Sequence, residues 1–218
     1  MKNRIGVVVL CSFVAVAAEA LPFKPSFSMT FGRETEKAPA LTVRASEMKS
    51  FDVAESGGRH VCTWRGHDAC GADFTVTGTF TARDGGWDYE FRYAGCASGM
   101  DVEEISFPEI TVPRTDSTRL LFPRQTGALR LPKWKDQKPG AVLVQCGPMF
   151  LGFHFIAAVD EGAGGWYVDQ RGDARLRSCR FAFVNGTDPG TLRLEAKYVP
   201  EATADLRASG ALPLTVSP

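Results

Sequence analysis

Apolar and polar residues alternate with a period of two through most of this chain, a pattern that builds strands and leaves no room for helices as the main element. Between Asp73 and Ala82 the positions Phe74, Val76, Gly78 and Phe80 alternate with Thr75, Thr77, Thr79 and Thr81. After Arg83-Asp84-Gly85-Gly86, a hairpin-turn sequence, Trp87, Tyr89, Phe91 and Tyr93 alternate with Asp88, Glu90 and Arg92. The two runs predict a hairpin with one aromatic face, which makes Trp87 a core residue. Cys179, Phe181 and Phe183 alternate with Arg180 and Ala182 in the same way, and Leu192, Leu194, Ala196 and Tyr198 with Arg193, Glu195 and Lys197.

Met149 to Val159 is apolar on both alternating faces, as expected of a strand that lies inside a sheet. Asp160 to Gly165 breaks it, and Trp166-Tyr167-Val168 resumes as its partner strand. A single helical turn is expected near Ser46 to Phe51. The resulting expectation is an all-β fold, an antiparallel β-sandwich with little helix, made of about ten to fourteen short strands. Gln125 to Pro139 is its one long polar connection.

The first twenty residues read differently. Lys2 and Arg4 precede an apolar run from Ile5 to Ala18, and Ala18-Glu19-Ala20 has the small-x-small form of a signal-peptidase site. Residues 1–20 are therefore expected to be a signal peptide and 21–218 a single β-sandwich domain, secreted or periplasmic. The apolar run is shorter than the roughly 20 residues of a spanning helix, so no membrane association is expected after cleavage. An oxidising destination turns attention to the five later cysteines, Cys62, Cys70, Cys96, Cys146 and Cys179. Several pairings are open. Cys62 with Cys70 is favoured because that pair is nearest in sequence and Thr63 to Ala69 looks like a loop. His60, Cys62, His67 and Cys70 have zinc-like side chains, but their order matches no usual ligand spacing, so no metal is expected.

The chain carries 25 Lys and Arg against 25 Asp and Glu, a balance that excludes a basic nucleic-acid binder. There is no G-x-S-x-G elbow and no H-E-x-x-H, and Gly162 to Gly165 lacks the lysine of a phosphate loop. No cofactor is expected either. A glycosidase would need two carboxyl groups about 5 to 9.5 Å apart, and the conspicuous pair Asp160-Glu161 reads as a solvated turn. Sugar rings stack on aromatic faces, which singles out the tryptophans outside the regular aromatic face. Trp64, Trp134 and Trp166 are the candidates for carbohydrate binding, with Trp134 in the polar stretch Pro132-Lys133-Trp134-Lys135.

Four segments occur in an informative order: Ile105-Ser106-Phe107-Pro108-Glu109-Ile110, Leu121-Phe122-Pro123-Arg124-Gln125-Thr126-Gly127, Phe153 to Glu161, and Gly164-Gly165-Trp166-Tyr167-Val168. Together they resemble the N-terminal β-supersandwich domain, of galactose-mutarotase-like type, found in secreted bacterial glycoside-hydrolase-like proteins. The similarity covers about Phe27 to Val216. The resemblance implies a non-catalytic accessory domain ordinarily followed by a (β/α)8 catalytic barrel, which residues 21–218 do not contain. It also implies that an acidic residue following the Gly-Gly hairpin, here Asp169 or Asp173, meets the sugar. Two alternatives stand beside it: a free-standing carbohydrate-binding module, and a small mutarotase-like isomerase. The isomerase would need a His acid and a Glu base in one cleft; His154 is the one histidine within a strong strand.

Overall fold

The computed structural model describes residues 21–32, 41–83, 86–95, 100–123, 129–130, 132–136, 142–146, 155–160, 164–169, 179–186, 188–198 and 212–217. They form two antiparallel sheets. In the six-stranded sheet the order is β10 (Val142–Cys146), β13 (Cys179–Asn185), β14 (Thr191–Tyr198), β7 (Asp101–Pro113), β1 (Pro25–Gly32) and β2 (Leu41–Arg44). The nine-stranded sheet begins with β3 (Ser50–Ser56), β4 (Arg59–His67), β5 (Gly71–Arg83) and β6 (Gly86–Ala94). It continues through β15 (Leu212–Ser217), β12 (Gly164–Asp169), β11 (Phe155–Asp160), β8 (Arg119–Pro123) and β9 (Leu129–Arg130). Fifteen strands among the described residues exceed the expected range by one, because the two-residue β9 carries no alternation that sequence could reveal.

The all-β sandwich is as the alternation requires. β5 and β6 pair as the expected hairpin, from Thr75↔Ala94 to Arg83↔Gly86. β11 lies between β12 and β8, inside the nine-stranded sheet. The helical turn near Ser46 is a 3-10 turn, Ala45–Glu47, with a Glu47 carboxylate accepting from the Arg44 backbone N–H at 2.8 Å.

The core is aromatic and lies between the sheets. Phe107 of β7 meets Phe80, Tyr89 and Phe91 of the opposite sheet at ring distances of 5.7, 5.7 and 4.8 Å. Phe27 of β1 meets Trp64 edge-on at 5.1 Å, and Phe122 of β8 meets Phe183 of β13 at 6.0 Å. Trp87 belongs to this core. Full burial of such side chains contributes about 1.5–3 kcal/mol each, which makes the sandwich interior the dominant stabilising feature. No helix among the described residues is long and apolar enough to cross a membrane.

Candidate functional site

Three of the sequence-derived site expectations, the Cys62–Cys70 bridge and surface positions for Trp64 and Trp134, are corrected by strand pairing and burial. The segment Thr63 to Ala69 is not a loop, since β4 runs on to His67 and the turn into β5 is confined to Asp68–Cys70. Cys62 sits in mid-strand opposite Gly78, and both it and Cys70 are free thiols. His67, at the hairpin end opposite Gly71, is five steps along β4 from Cys62, a run of about 16 Å at 3.3 Å per residue. A disulfide tolerates a Cα separation of at most about 7 Å. The expected Cys62–Cys70 bridge is therefore excluded by geometry. Burial also pushes the Cys62 thiol up to about 11 and raises that of Cys70.

Trp64 and Trp134 are not surface platforms. Trp64 lies on the inward side of β4, 3% exposed, between Phe27 and Phe51. Trp134 is 5% exposed although it sits among prolines and lysines. The chain around it is pinned to β8: Leu120 N–H donates to the Pro132 carbonyl at 2.9 Å and Trp134 N–H to the Thr118 carbonyl at 2.8 Å. With its backbone tied to that edge, the indole turns into the core. Trp166 is half-buried and packs edge-on against Phe23 at 6.1 Å. Asp173 and His154 lie outside the described residues.

Asp169 falls in a more informative place. On the β11–β12 hairpin Ile156, Ala158, Trp166 and Val168 face the core, so Phe155, Tyr167 and Asp169 face outward on the nine-stranded sheet. The register sets Phe155 opposite Asp169 and Ala157 opposite Tyr167. The Phe155 and Tyr167 rings lie 5.1 Å apart at 35°, and the Tyr167 hydroxyl donates to Asp169 Oδ2 at 3.2 Å. A half-buried aromatic pair thus stands beside a carboxylate that is held by a tyrosine and is itself buried, Asp169 being 8% exposed, so the expected meeting of Asp169 with a sugar is not open to it in this arrangement. Tyr167 was legible as a strand residue, but its pairing with Phe155 needed the hairpin register.

At the turn end of that hairpin, the Asp160 carboxylate is more than a solvated turn residue. Its Oδ1 accepts from Thr115 and Thr118 hydroxyls at 2.7 Å each and from Ser117 at 3.3 Å. Burial works to raise this carboxyl, yet the three hydroxyls outweigh it and hold it below the usual aspartate value.

The outer face of the six-stranded sheet carries a polar network that period-two reading passes over. Register shifts between Ser26 and Ser28 on β1, and between Glu195 and Lys197 on β14, bring Ser106 and Glu109 to the same side of β7. Glu109 accepts from Ser28 Oγ at 2.7 Å and Ser26 Oγ at 3.2 Å, and lies directly opposite Glu195. Burial, reinforced by the Glu195 charge, raises the Glu109 pKa despite the serine hydrogen bonds. Glu195 is bound by Arg193 at 2.6 Å and lies 3.7 Å from Lys197, which in turn binds Glu104 at 2.9 Å. Burial opposes the Lys197 charge, but the Glu104 hydrogen bond and the Glu104, Glu195 and Glu109 charges outweigh it, so its pKa rises. Ser106 Oγ is buried with no hydrogen-bond partner among the described residues. Glu109 and Glu195 are 7% and 4% exposed, which closes this carboxylate pair to a sugar-sized reactant.

The two described histidines on β4 are packing residues. His60 is edge-on to Trp87 at 5.1 Å with Nδ1 3.8 Å from Glu55, and His67 Nδ1 accepts from the Ala69 N–H at 3.2 Å. Among the described residues no group of three or more His, Cys, Asp or Glu converges to hold a metal ion. No family model matches the chain, and no curated protein matches it.

Proposed function

We propose that this chain is a non-catalytic β-sandwich domain associated with carbohydrate processing, and that it meets sugar on the outer face of the β11–β12 hairpin. The observation that carries this reading is the Phe155–Tyr167 ring pair beside Asp169. A pyranose presents an apolar ring face that stacks on aromatic carbon such as the Phe155–Tyr167 pair. The buried Asp169 carboxylate accepts from the Tyr167 hydroxyl and so fixes the ring, and little side-chain freedom is lost when a sugar stacks on it. The resemblance to the galactose-mutarotase-like accessory domain of secreted glycoside-hydrolase-like proteins supports the same reading, as does the N-terminal signal-like segment for secretion or export to the periplasm. Absence of catalysis is supported by the burial of the Glu109–Glu195 pair. Stacking of one sugar on one aromatic platform contributes about 1 kcal/mol beyond area burial, so millimolar affinity is expected.

Affinity electrophoresis through immobilised polysaccharides, followed by Tyr167→Ala and Asp169→Asn, tests the proposal. Retardation of the wild-type chain that is lost in Tyr167→Ala, with unchanged circular dichroism, is the expected result. Retardation that survives both substitutions would move the contact elsewhere, and turnover of an aryl glycoside by the wild-type chain would end the non-catalytic reading.

A further inference from the structure

β10 and β13 pair in unbroken antiparallel register from Val142↔Phe183 to Cys146↔Cys179. Two cysteines far apart in sequence therefore stand directly opposite one another, at the end of that pairing. The place of Cys179 is fixed from its other side too, where β14 sets Tyr198 against it in a register that runs unbroken to Asn185↔Leu192. By steps of two along β13, Cys179 shares the alternate positions of Phe181 and Phe183, which are buried in the core. Its partner position on β10 belongs to the same side of the sheet, because opposite residues share a face.

Directly opposite residues of an antiparallel pair have Cα atoms about 4.5 to 5.5 Å apart, within the span of about 4.4–6.8 Å that a disulfide bridges. The distance that excludes Cys62–Cys70 thus admits this pair. Sheet order keeps Cys62 away from it. Trp64, two residues along β4 from Cys62, packs on Phe27 of β1, and β1 stands three strands from β13, about 14 Å at the spacing of paired strands. Cys96 lies outside the described residues.

We infer that Cys146 and Cys179 are joined by a disulfide that ties the edge strand β10 to β13 and closes the chain between them into a loop. That chain leaves the six-stranded sheet, contributes the β11–β12 hairpin to the nine-stranded one, and returns. A bond at its base fixes both ends of the excursion and removes loop-closure freedom from the unfolded chain. The bond forms by exchange with a disulfide-bearing oxidant. One cysteine thiolate attacks a sulfur of the oxidant and expels one thiol; the second thiolate attacks the mixed disulfide and expels the other. Two electrons and the two thiol protons pass to the oxidant, which leaves as two thiols. Export, proposed above from the N-terminal segment, brings the chain to a compartment that holds such oxidants; the pairing itself needs only the oxidant.

Refolding the full chain in a mixture of reduced and oxidised glutathione, followed by peptide mapping of a non-reducing digest, tests this. One peptide pair joined through Cys146 and Cys179 is expected, released by dithiothreitol and formed equally in Cys96→Ser. Thermal denaturation gives a second readout. Closing a loop of roughly 30 residues raises Tm by about 5–15 °C, so reductant lowers the wild-type Tm by that amount and leaves the Tm of Cys179→Ala unmoved. Thiols that stay free at both positions, or that stop at the mixed disulfide with glutathione, overturn the inference. So does a bridge from either position to Cys62, Cys70 or Cys96, and so does an equal fall in Tm on reduction of wild type and Cys179→Ala.

Discussion

Gly78 is the position where a single methyl group is most informative. It lies in the middle of β5, opposite Cys62 on β4 and Phe91 on β6, and takes an inward place in the Phe74, Val76, Gly78, Phe80 series. A Cβ there would stand 2.7 Å from Phe107 Cζ, 3.0 Å from Phe107 Cε2 and 3.4 Å from Trp64 Cζ3. Carbon atoms pack at about 3.5–4.0 Å, so the shortfall is close to 1 Å. The Phe107 ring is fully buried against Phe80, Tyr89 and Phe91 and has no free direction in which to retreat. Two effects compete in Gly78→Ala. Overpacking costs about 1–3 kcal/mol, and removing a strand glycine restores about 0.5–1 kcal/mol of backbone entropy. The clash wins, with a net loss of about 1–2 kcal/mol. At about 2–4 °C per kcal/mol for a domain of this size, Tm falls by about 2–8 °C. Urea denaturation should show a lower midpoint at constant m-value. Combining Gly78→Ala with Phe107→Leu should recover part of the loss, with a coupling energy of about 1 kcal/mol in a double-mutant cycle. A Gly78→Ala chain as stable as wild type, or additivity within about 0.5 kcal/mol, would refute the reasoning.

Native labelling with iodoacetamide at mildly alkaline pH should modify Cys70 and spare Cys62, whose thiol is buried and raised to about 11; peptide mapping that finds the two bridged would contradict the strand register. Trp134→Ala should lower stability by about 3–5 kcal/mol, the usual loss for a buried aromatic, and a variant of wild-type stability would return Trp134 to the surface. Glu109→Gln tests the buried network through pH. Because the folded pKa of Glu109 is raised, its favourable share is complete below the unfolded value of about 4.3 and is lost as pH rises through the folded value. The stability of Glu109→Gln relative to wild type should therefore increase with pH across the weakly acidic range in denaturation series, and a pH-independent difference would count against the burial argument.

Local patterns carried far in this chain. The alternation in Phe74 to Thr81, the turn-forming sequence Arg83-Asp84-Gly85-Gly86 and the aromatic run Trp87 to Tyr93 specify a hairpin with one buried face, because a strand's side chains can only point to two sides. Of the doubly apolar run Met149 to Val159, residues 155–159 lie inside a sheet as expected, and 149–154 fall outside the described residues. What alternation cannot convey is which strand end lies where. Cys62 and Cys70, eight positions apart in sequence, are held apart because β4 extends through both Trp64 and His67. Trp134 looks exposed among its neighbours until two backbone hydrogen bonds to the β8 edge turn it inward. The register shifts that gather Glu109, Ser106, Glu195 and Lys197 on one face join β1, β7 and β14, which are distant in sequence. The Phe155–Tyr167–Asp169 group likewise follows from strand pairing. Burial alternation is a property of each strand and is written residue by residue, whereas sites and interfaces depend on relations between strands, which only the packed sheets decide.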